Sequence, residues 1–290
     1  MLMRKVIKNE AERVAKESGF FDLPICPFKI AADSGIAVQA KPAEAKGVSG
    51  MLVRTGDEFG ILYATDIESE GFQRFSIAHE LGHFHLEGHV EAVIKMGAHI
   101  SRAGFGSDDP YEREADLFAA SLLMPEDAFR KATRSAGSGL DAVRQLATLA
   151  RTSLTATAFR FQELTRDAVA VVQATDGAID VCFYSERFKG LGRLPFFKRG
   201  TILPHGAATK EFHRNSENVR SGRTMEDETR FSDWFGIDGP SVCEQIIGLG
   251  GYGKSLTILV CDVGSDDEFD PDDQADNDEY LRERWTPKFR

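Results

Sequence analysis

Residues 72 to 89 contain the feature that most restricts the fold, a helical pattern that carries four of the chain's seven histidines. Apolar and histidine residues recur there at steps of three and four, which predicts a helix with one buried face. The sequence HELGH places His79 and His83 one turn apart on that face, about 6 Å from each other, so both imidazoles can bind one Zn²⁺ ion. Gly82 costs a helix about 1 kcal/mol relative to alanine, which predicts that another element packs closely against it.

Glu80 follows the first of these histidines and is turned about 100° from it around the helix. It is therefore expected beside the metal rather than on it, where a carboxylate can take a proton from a water molecule. The helical context that the HExxH motif of zinc hydrolases requires is present in the pattern. His85, two residues after His83, is predicted on the opposite face as a surface or structural histidine.

A second helix is predicted from about Pro110 to Met124, in the sequence PYEREADLFAASLLM. Proline near its start and acidic residues in its first turn are typical of a helix N-terminus. Glu112 and Asp116 are four residues apart and share a face, so one can bind the metal while the other orients a histidine ligand through its ring N–H. The pattern thus predicts a site of two histidines and one acid, with an open position for water.

Three residues compete for the place of third ligand, and the spacing alone leaves all three open. Glu112 is favoured. Glu114 is two residues away and is expected to point elsewhere, and His89 matches the histidines of the pattern HExxHxxGxxH. That pattern needs a glycine for a sharp turn where this chain has Leu86, so His89 is expected just beyond the helix.

Two segments together, RFSIAHELGH and EREADLFAASLLMP, resemble the ImmA/IrrE family of metallo-endopeptidases over about residues 5 to 130. The resemblance implies a gluzincin-like core and zinc as the cofactor. Transferred by position, it implies that His79, His83 and Glu112 are the zinc ligands. By the same transfer, Glu80 is the general base.

The resemblance also implies that Asp116 is the acid that orients a histidine ligand. Members of this family cleave Xre-type helix-turn-helix transcriptional repressors, so the implied activity is hydrolysis of a peptide bond in such a protein in the cytoplasm. A non-proteolytic metal-binding regulator that acts through protein contact is the alternative.

The predicted fold class is α+β. A zincin-like peptidase domain with a small sheet and the HExxH helix is expected over residues 1–135, followed by a helix-turn-helix-like connector over 136–166. A second, smaller α+β domain for sensing or recognition is expected over 167–261, and an acidic disordered tail over 262–290. Within the first domain, ILYATD is predicted as the second strand of a hairpin whose edge could pair with an extended substrate.

Composition restricts the remaining function classes. The net charge of -11 is local, because ten acidic residues and no basic ones lie between Asp262 and Glu279. No run of about 18 apolar residues predicts a membrane span, and the N-terminus lacks the apolar centre of a signal peptide. Four cysteines lie far apart, without a CxxC pair, and are expected to be reduced. The basic and aromatic segment 186–200 is interpreted as a solvated loop with core anchors, so no direct nucleic-acid contact is expected.

One motif points to a different chemistry. GLGGYGKS, residues 248–255, matches the phosphate-binding pattern GxxxxGK[ST], which requires a strand before the loop and a helix after it. Here the sequence predicts the reverse order, with a helix over SVCEQII and a strand over LTILVCD. A nucleotide-binding enzyme is therefore only the third hypothesis.

Overall fold

The computed structural model describes residues 2–42, 44–94, 97–102 and 109–264. Within them the chain is a mixed α+β protein, which confirms the predicted class. It divides into two compact units, which we describe separately. The described residues of Met1–Ala132 and Leu146–Ala156 form the first unit, and those of Thr133–Gln145 and Thr157–Tyr280 form the second.

The domain boundaries near residues 135 and 166 remain predictions. The disordered acidic tail also remains a prediction, because from residue 265 onward it lies outside the described residues. Among the residues described, no helix is both long enough and apolar enough to cross a membrane.

The first unit contains a four-stranded sheet and the helices that pack against it. Its helices are α1 (Leu2–Glu17), α2 (Pro27–Asp33), α3 (Glu70–His85), α4 (His89–Val93), α5 (Pro110–Leu123) and α6 (Glu126–Thr133). Its strands are β1 (Ala37–Ala40), β2 (Val48–Thr55), β3 (Glu58–Tyr63) and β4 (Ala98–Arg102). The strand order is β1-β3-β2-β4, with β1 parallel to β3 and the other pairs antiparallel. The predicted hairpin is therefore confirmed as β2 and β3.

The prediction that the ILYATD strand offers a free edge is wrong. Strand β3 pairs with β2 on one side, and with β1 on the other over Gly60 to Tyr63. Both rows of its backbone hydrogen-bonding groups are thus used inside the sheet. The pairing of β1 depends on residues about 20 positions earlier in the chain, which the local pattern of the hairpin does not reveal. Strand β4 is an edge strand instead, since β2 is its only partner among the described strands.

Helix α3 carries the histidine cluster and is buried over most of its length. It begins after Ser69, whose Oγ accepts a hydrogen bond from the Phe72 backbone N–H, as N-cap residues do. It ends at His85, and Gly88, with φ at +79°, precedes α4 rather than terminating α3. The helix packs against α5 on one side and against β2 on the other. This double packing explains why polar residues of the HELGH sequence are buried.

At Gly82, within the HELGH sequence, helix α3 lies in close contact with helix α5. A Cβ atom placed there would lie 3.1 Å from the Ala115 Cα and 3.2 Å from a ring carbon of Phe118. The packing element that Gly82 predicts is therefore α5. The apolar stripe of α5 is buried and consists of Ala115, Phe118, Ala119, Leu122 and Leu123.

The second unit is built on a six-stranded antiparallel sheet in the order β7-β6-β5-β10-β9-β8. Its strands are β5 (Ala168–Thr175), β6 (Ala178–Tyr184), β7 (Thr201–Ile202), β8 (Thr224–Arg230), β9 (Ser241–Gly248) and β10 (Lys254–Cys261). The remaining helices along the chain are α7 (Gly139–Ala150), α8 (Leu154–Leu164), α9 (Glu186–Lys189), α10 (Ala208–His213), α11 (Ser216–Arg220) and α12 (Phe231–Phe235). Strands β5 and β6 form a hairpin around Asp176 and Gly177. The buried strand predicted at LTILVCD is confirmed as β10.

The helix predicted over SVCEQII is wrong, because this segment is strand β9. Its side chains alternate between buried and less buried positions, with Val242, Glu244, Ile246 and Gly248 buried. The alternation was hard to recognise because one inward position holds a glutamate. The glycine-rich loop therefore joins two antiparallel strands, and no helix follows it at which a phosphate could bind. This geometry contradicts the nucleotide-binding hypothesis.

Glu244 is fully buried and accepts four hydrogen bonds. Its Oε1 accepts from the Ala208 backbone N–H at 2.9 Å and from the Trp234 indole N–H at 2.8 Å. Its Oε2 accepts from the Thr209 backbone N–H at 2.9 Å and from the Thr209 hydroxyl at 2.6 Å. A buried carboxylate is tolerated only when it is satisfied in this way, so this side chain fastens α10 and α12 to the sheet.

We predict that Glu244→Gln lowers the free energy of unfolding by about 1 to 3 kcal/mol, because an amide N–H₂ group would face backbone and side-chain donors. Thermal or denaturant unfolding measures this change. Glu228→Gln, on the exposed strand β8, is the matched control and should change stability little. Equal effects of the two substitutions would contradict the role of the buried carboxylate.

We further predict that Gly82→Val destabilises the protein by about 1 to 3 kcal/mol, because a branched side chain would overlap the Ala115 backbone and force α3 away from α5. Ala32→Val, on the exposed side of α2, has the same β-branched penalty in a helix without the close contact. Chemical denaturation of both variants separates the two effects. A Gly82→Val protein as stable as the Ala32→Val protein would show that the helices do not need this approach.

Candidate metal centre

Helices α3 and α5 bring three of the predicted site residues into contact. The His79 Nε2 and His83 Nε2 atoms lie 3.1 Å apart. The Glu112 carboxylate spans both, with Oε2 3.4 Å from His79 Nε2 and Oε1 3.4 Å from His83 Nε2. Both imidazoles are buried, and the carboxylate is about one-fifth exposed, at 21%.

These separations suit the ligands of one tetrahedral zinc ion. Zinc bonds to nitrogen and oxygen of about 2.0 to 2.1 Å place neighbouring ligand atoms of a tetrahedron ~3.3 Å apart. The chemistry of the three donors, two imidazole nitrogens and one carboxylate, matches the ligand set of catalytic zinc sites that retain a position for water. The donor set therefore fits a zinc ion.

Asp116 lies beside the ring of His79, as predicted. Its Oδ1 is 2.9 Å from His79 Nδ1, on the side of the ring away from Glu112. Because a carboxylate only accepts, it holds a proton on His79 Nδ1 and directs Nε2 toward Glu112. Burial acts to lower the pKa of His79, but hydrogen bonds with Asp116 and Glu112 outweigh it and raise that pKa to about 10. The ring therefore also holds a proton on Nε2 at neutral pH, and a metal ion bound there would take the place of that proton.

His83 lies in a different electrostatic environment. Burial lowers its pKa to about 3, against the opposing effect of Glu112. The His83 ring is therefore neutral, as a metal ligand has to be. Burial acts to raise the pKa of Glu112, but hydrogen bonds from His79 and His99 and the proximity of the His83 ring outweigh it and bring this pKa well below its ordinary value.

The two competing candidates for the third ligand are placed outside the ligand set but next to it. His89, the first residue of α4, has its Nδ1 3.2 Å from His83 Nδ1. Its Nε2 lies 3.0 Å from Glu114 Oε2. Glu114 therefore contacts His89 and not the three clustered ligand groups. His89 itself is buried, with 1% of its surface exposed.

Glu80 is fully buried behind the histidines, and burial raises its pKa against the opposing effects of His79 and Ser101. Neither of its carboxylate oxygens has a hydrogen bond of good geometry among the described residues. Its space is provided by Gly50 of β2, where a Cβ atom would lie 2.5 Å from Glu80 Oε1. The pairing of β2 with β4 is irregular at this glycine, which marks a bulge beside the site. The buried Glu80 carboxylate is thus able to accept a proton.

His99 is a member of the cluster that the sequence did not single out. Its Nε2 lies 2.9 Å from Glu112 Oε1 and 3.3 Å from the Ser101 Oγ. The candidate ligand atoms of His79, His83, His99 and Glu112 all lie within 4.8 Å of one another. His99 comes from strand β4, where it pairs with Leu52 of β2. Only that pairing, which local sequence does not specify, brings it to the centre.

His85 is turned away from the cluster, as its position in the helix predicts. Its ring stacks on Phe118 of α5, with the ring centroids 6.0 Å apart and the planes at 14°. It is therefore a structural histidine of the α3–α5 contact.

Three comparisons with known proteins bear on the fold and the family of this chain. A search of curated proteins found no significant match. Among solved structures, a Mycobacterium tuberculosis transcriptional regulator is similar, with a TM-score of 0.54 and 15% sequence identity over 89% of this chain and 76% of that one. At this identity the similarity shows a shared fold.

The sequence model of the peptidase M78 family, described as the IrrE N-terminal-like domain, matches residues 31–162. The matched range includes both helices of the centre, with the HExxH sequence on α3 and the second motif on α5. This match confirms the resemblance found from those two motifs, and residues 31–162 of this chain are similar to the IrrE N-terminal-like domain of M78 peptidases.

Proposed function

We propose that this protein is a zinc-dependent endopeptidase that hydrolyses a peptide bond in another protein. The observation that carries the proposal is a buried, unsatisfied carboxylate, Glu80, beside two imidazole nitrogens and a carboxylate at zinc-ligand separations. The match of residues 31–162 to the M78 peptidase model supports a metallopeptidase independently of this geometry.

We assign His79 Nε2, His83 Nε2 and the Glu112 carboxylate as the zinc ligands. Asp116 holds His79 in the tautomer that presents Nε2 to the metal. When bound, zinc supplies Lewis acidity, which lowers the pKa of a water molecule and polarises the carbonyl of the substrate.

Glu80 is the general base in this proposal. A carboxylate with a raised pKa, held in a dry environment, is suited to accept a proton from water and to release it again. Its oxygens would take the proton of the attacking water and then pass it to the amine nitrogen of the leaving peptide. The absence of a side chain at Gly50 leaves the space that the carboxylate occupies.

Strand β4 is the element on which we propose that the substrate binds. It carries His99 at the centre, and its outer edge has no partner among the described strands. An extended peptide that pairs with this edge would run alongside the ligands, with main-chain hydrogen bonds supplying affinity. The proposal replaces the β3 edge, which is closed by β1.

The substrate class that we propose is a helix-turn-helix transcriptional repressor of the Xre type, in the cytoplasm. The support is the family resemblance. Incubation of the purified protein with a candidate repressor, with and without a metal chelator, tests it. A discrete, chelator-sensitive cleavage product is the expected result, whereas an intact repressor at equal protein concentrations would contradict this substrate assignment.

We predict that Glu80→Gln abolishes cleavage, with a loss of at least about 100-fold in rate, because an amide cannot accept the proton from water. Zinc content should stay near that of the wild type, since Glu80 is not a ligand. Cleavage assays together with metal analysis measure both quantities.

Glu112→Gln is the companion variant, and it should lose zinc as well as activity, because an amide oxygen is a much weaker ligand than a carboxylate. Cleavage by the Glu80→Gln protein at the wild-type rate would exclude Glu80 as the base. Retention of zinc by Glu112→Gln would exclude Glu112 as a ligand.

A second candidate function, a non-proteolytic metal-binding regulator, is favoured by one observation. His99 Nε2 lies close enough to the cluster to serve as a fourth protein ligand. Four protein ligands are typical of structural zinc sites, whereas catalytic sites retain a position for water. The 2.9 Å distance from His99 Nε2 to Glu112 Oε1 is instead that of an ordinary hydrogen bond, which favours His99 as a donor to the carboxylate.

We therefore predict that X-ray absorption spectra of the zinc-loaded protein show two coordinated imidazoles, and that His99→Ala leaves this number unchanged. Three imidazoles in the wild type and two in the His99→Ala protein would identify a closed site and support the regulator. Phe84→Ala, on the same helix as the ligands but outside the cluster, is a suitable control for indirect effects of truncation.

A further inference from the structure

We infer that Glu114 and His89 form a positioning relay that fixes the ring of His83 and presents its Nε2 to the metal. The inference deepens the proposed function and rests on His83 being a ligand. It assigns a role to the two residues that compete with Glu112 in the sequence. Neither residue would bind the metal, and neither would touch the substrate.

The relay consists of two consecutive hydrogen bonds, in which both histidines are buried and the Glu114 side chain is 30% exposed. His83 Nδ1 and His89 Nδ1 are 3.2 Å apart, and His89 Nε2 and Glu114 Oε2 are 3.0 Å apart. The side chains of the two histidines are 0% and 2% exposed, so water cannot readily substitute for either partner. The Tyr111 ring meets His89 edge-on, with the centroids 5.0 Å apart and the planes at 88°, and so restrains the orientation of His89.

The order of protons along the relay follows from the Glu114 carboxylate. An ionised carboxylate only accepts, so the proton of His89 lies on Nε2. A neutral imidazole then has a bare Nδ1, which accepts a hydrogen bond. His83 is therefore the donor in the contact between the two Nδ1 atoms, and its own proton lies on Nδ1. The lone pair of His83 Nε2 is left facing His79 and Glu112.

The two histidine ligands are thus oriented by two different carboxylates of helix α5, one directly and one through a second histidine. Asp116 of α5 contacts His79 directly. Glu114, also on α5, acts on His83 through an intervening neutral ring supplied by α4. In each case a carboxylate at one end and a ligand nitrogen at the other fix the tautomer, as outer partners of metal-bound histidines do.

The test uses the full chain with three substitutions and a control. His89→Leu removes the acceptor for His83, and His89→Gln restores one through its amide oxygen. Glu114→Gln weakens the far end of the relay. Glu91→Gln, an exposed position on α4, is the matched control for the change of charge. Thermal unfolding of each zinc-free variant establishes that it is folded.

The first measurement is zinc affinity, by competition with a chromophoric chelator. We expect His89→Leu to bind zinc about 10- to 100-fold more weakly than the wild type, the range typical for loss of an outer partner. His89→Gln should recover most of this loss, Glu114→Gln should show a smaller loss, and Glu91→Gln should show none. Affinity of the His89→Leu protein equal to that of the wild type would overturn the relay.

The second measurement is the tautomer of His83 in the zinc-free protein, from long-range nitrogen–proton NMR correlations of the imidazole rings. The relay requires the proton on Nδ1 of His83 and on Nε2 of His89. A proton on Nε2 of His83 would overturn it, whether or not the protein binds zinc. Neither measurement depends on cleavage, so a protein that keeps these signatures without hydrolysing any substrate would contradict only the proposed function.

Discussion

The close approach of α3 and α5 at Gly82 is the contact on which the rest of the centre depends. The three proposed ligands come from two helices that are separated by more than 20 residues of chain, and their polar atoms meet within 3.4 Å. A side chain at position 82 would meet the Ala115 backbone and push the two helices apart. The site is therefore a product of helix packing within the core. Loops contribute little to it.

This packing encloses a concentration of acidic side chains. Four of them, Glu80, Glu112, Glu114 and Asp116, lie around four histidines, and burial raises the pKa values of Glu80 and Asp116. Buried carboxylates that lack a cation oppose folding, so a bound metal ion would stabilise the folded state. The arrangement on which the proposed reaction rests would therefore also make the stability of the unit depend on its metal.

The sequence predicted the parts of the site that follow helical periodicity. His79, His83, Glu112 and Asp116 could be brought together because residues four apart share a face of a helix, and the structure places them side by side. His99 could not be found in this way, since its position depends on the register of β4 against β2. The closed edge of β3 was missed for the same reason. Strand β9 was misassigned because Glu244, a charged residue on its inward face, hides the alternation that identifies a strand.

The bulge at Gly50 has a consequence for how this centre could change during evolution. The Glu80 carboxylate occupies the volume that a side chain on β2 would otherwise fill. Strand β2 contributes no functional group to the centre but still constrains it. Even the methyl group of an alanine at position 50 would displace the proposed base, Glu80. A chain of this fold could retain every histidine and acid of the centre and still have its proposed base displaced by one added methyl group on the neighbouring sheet.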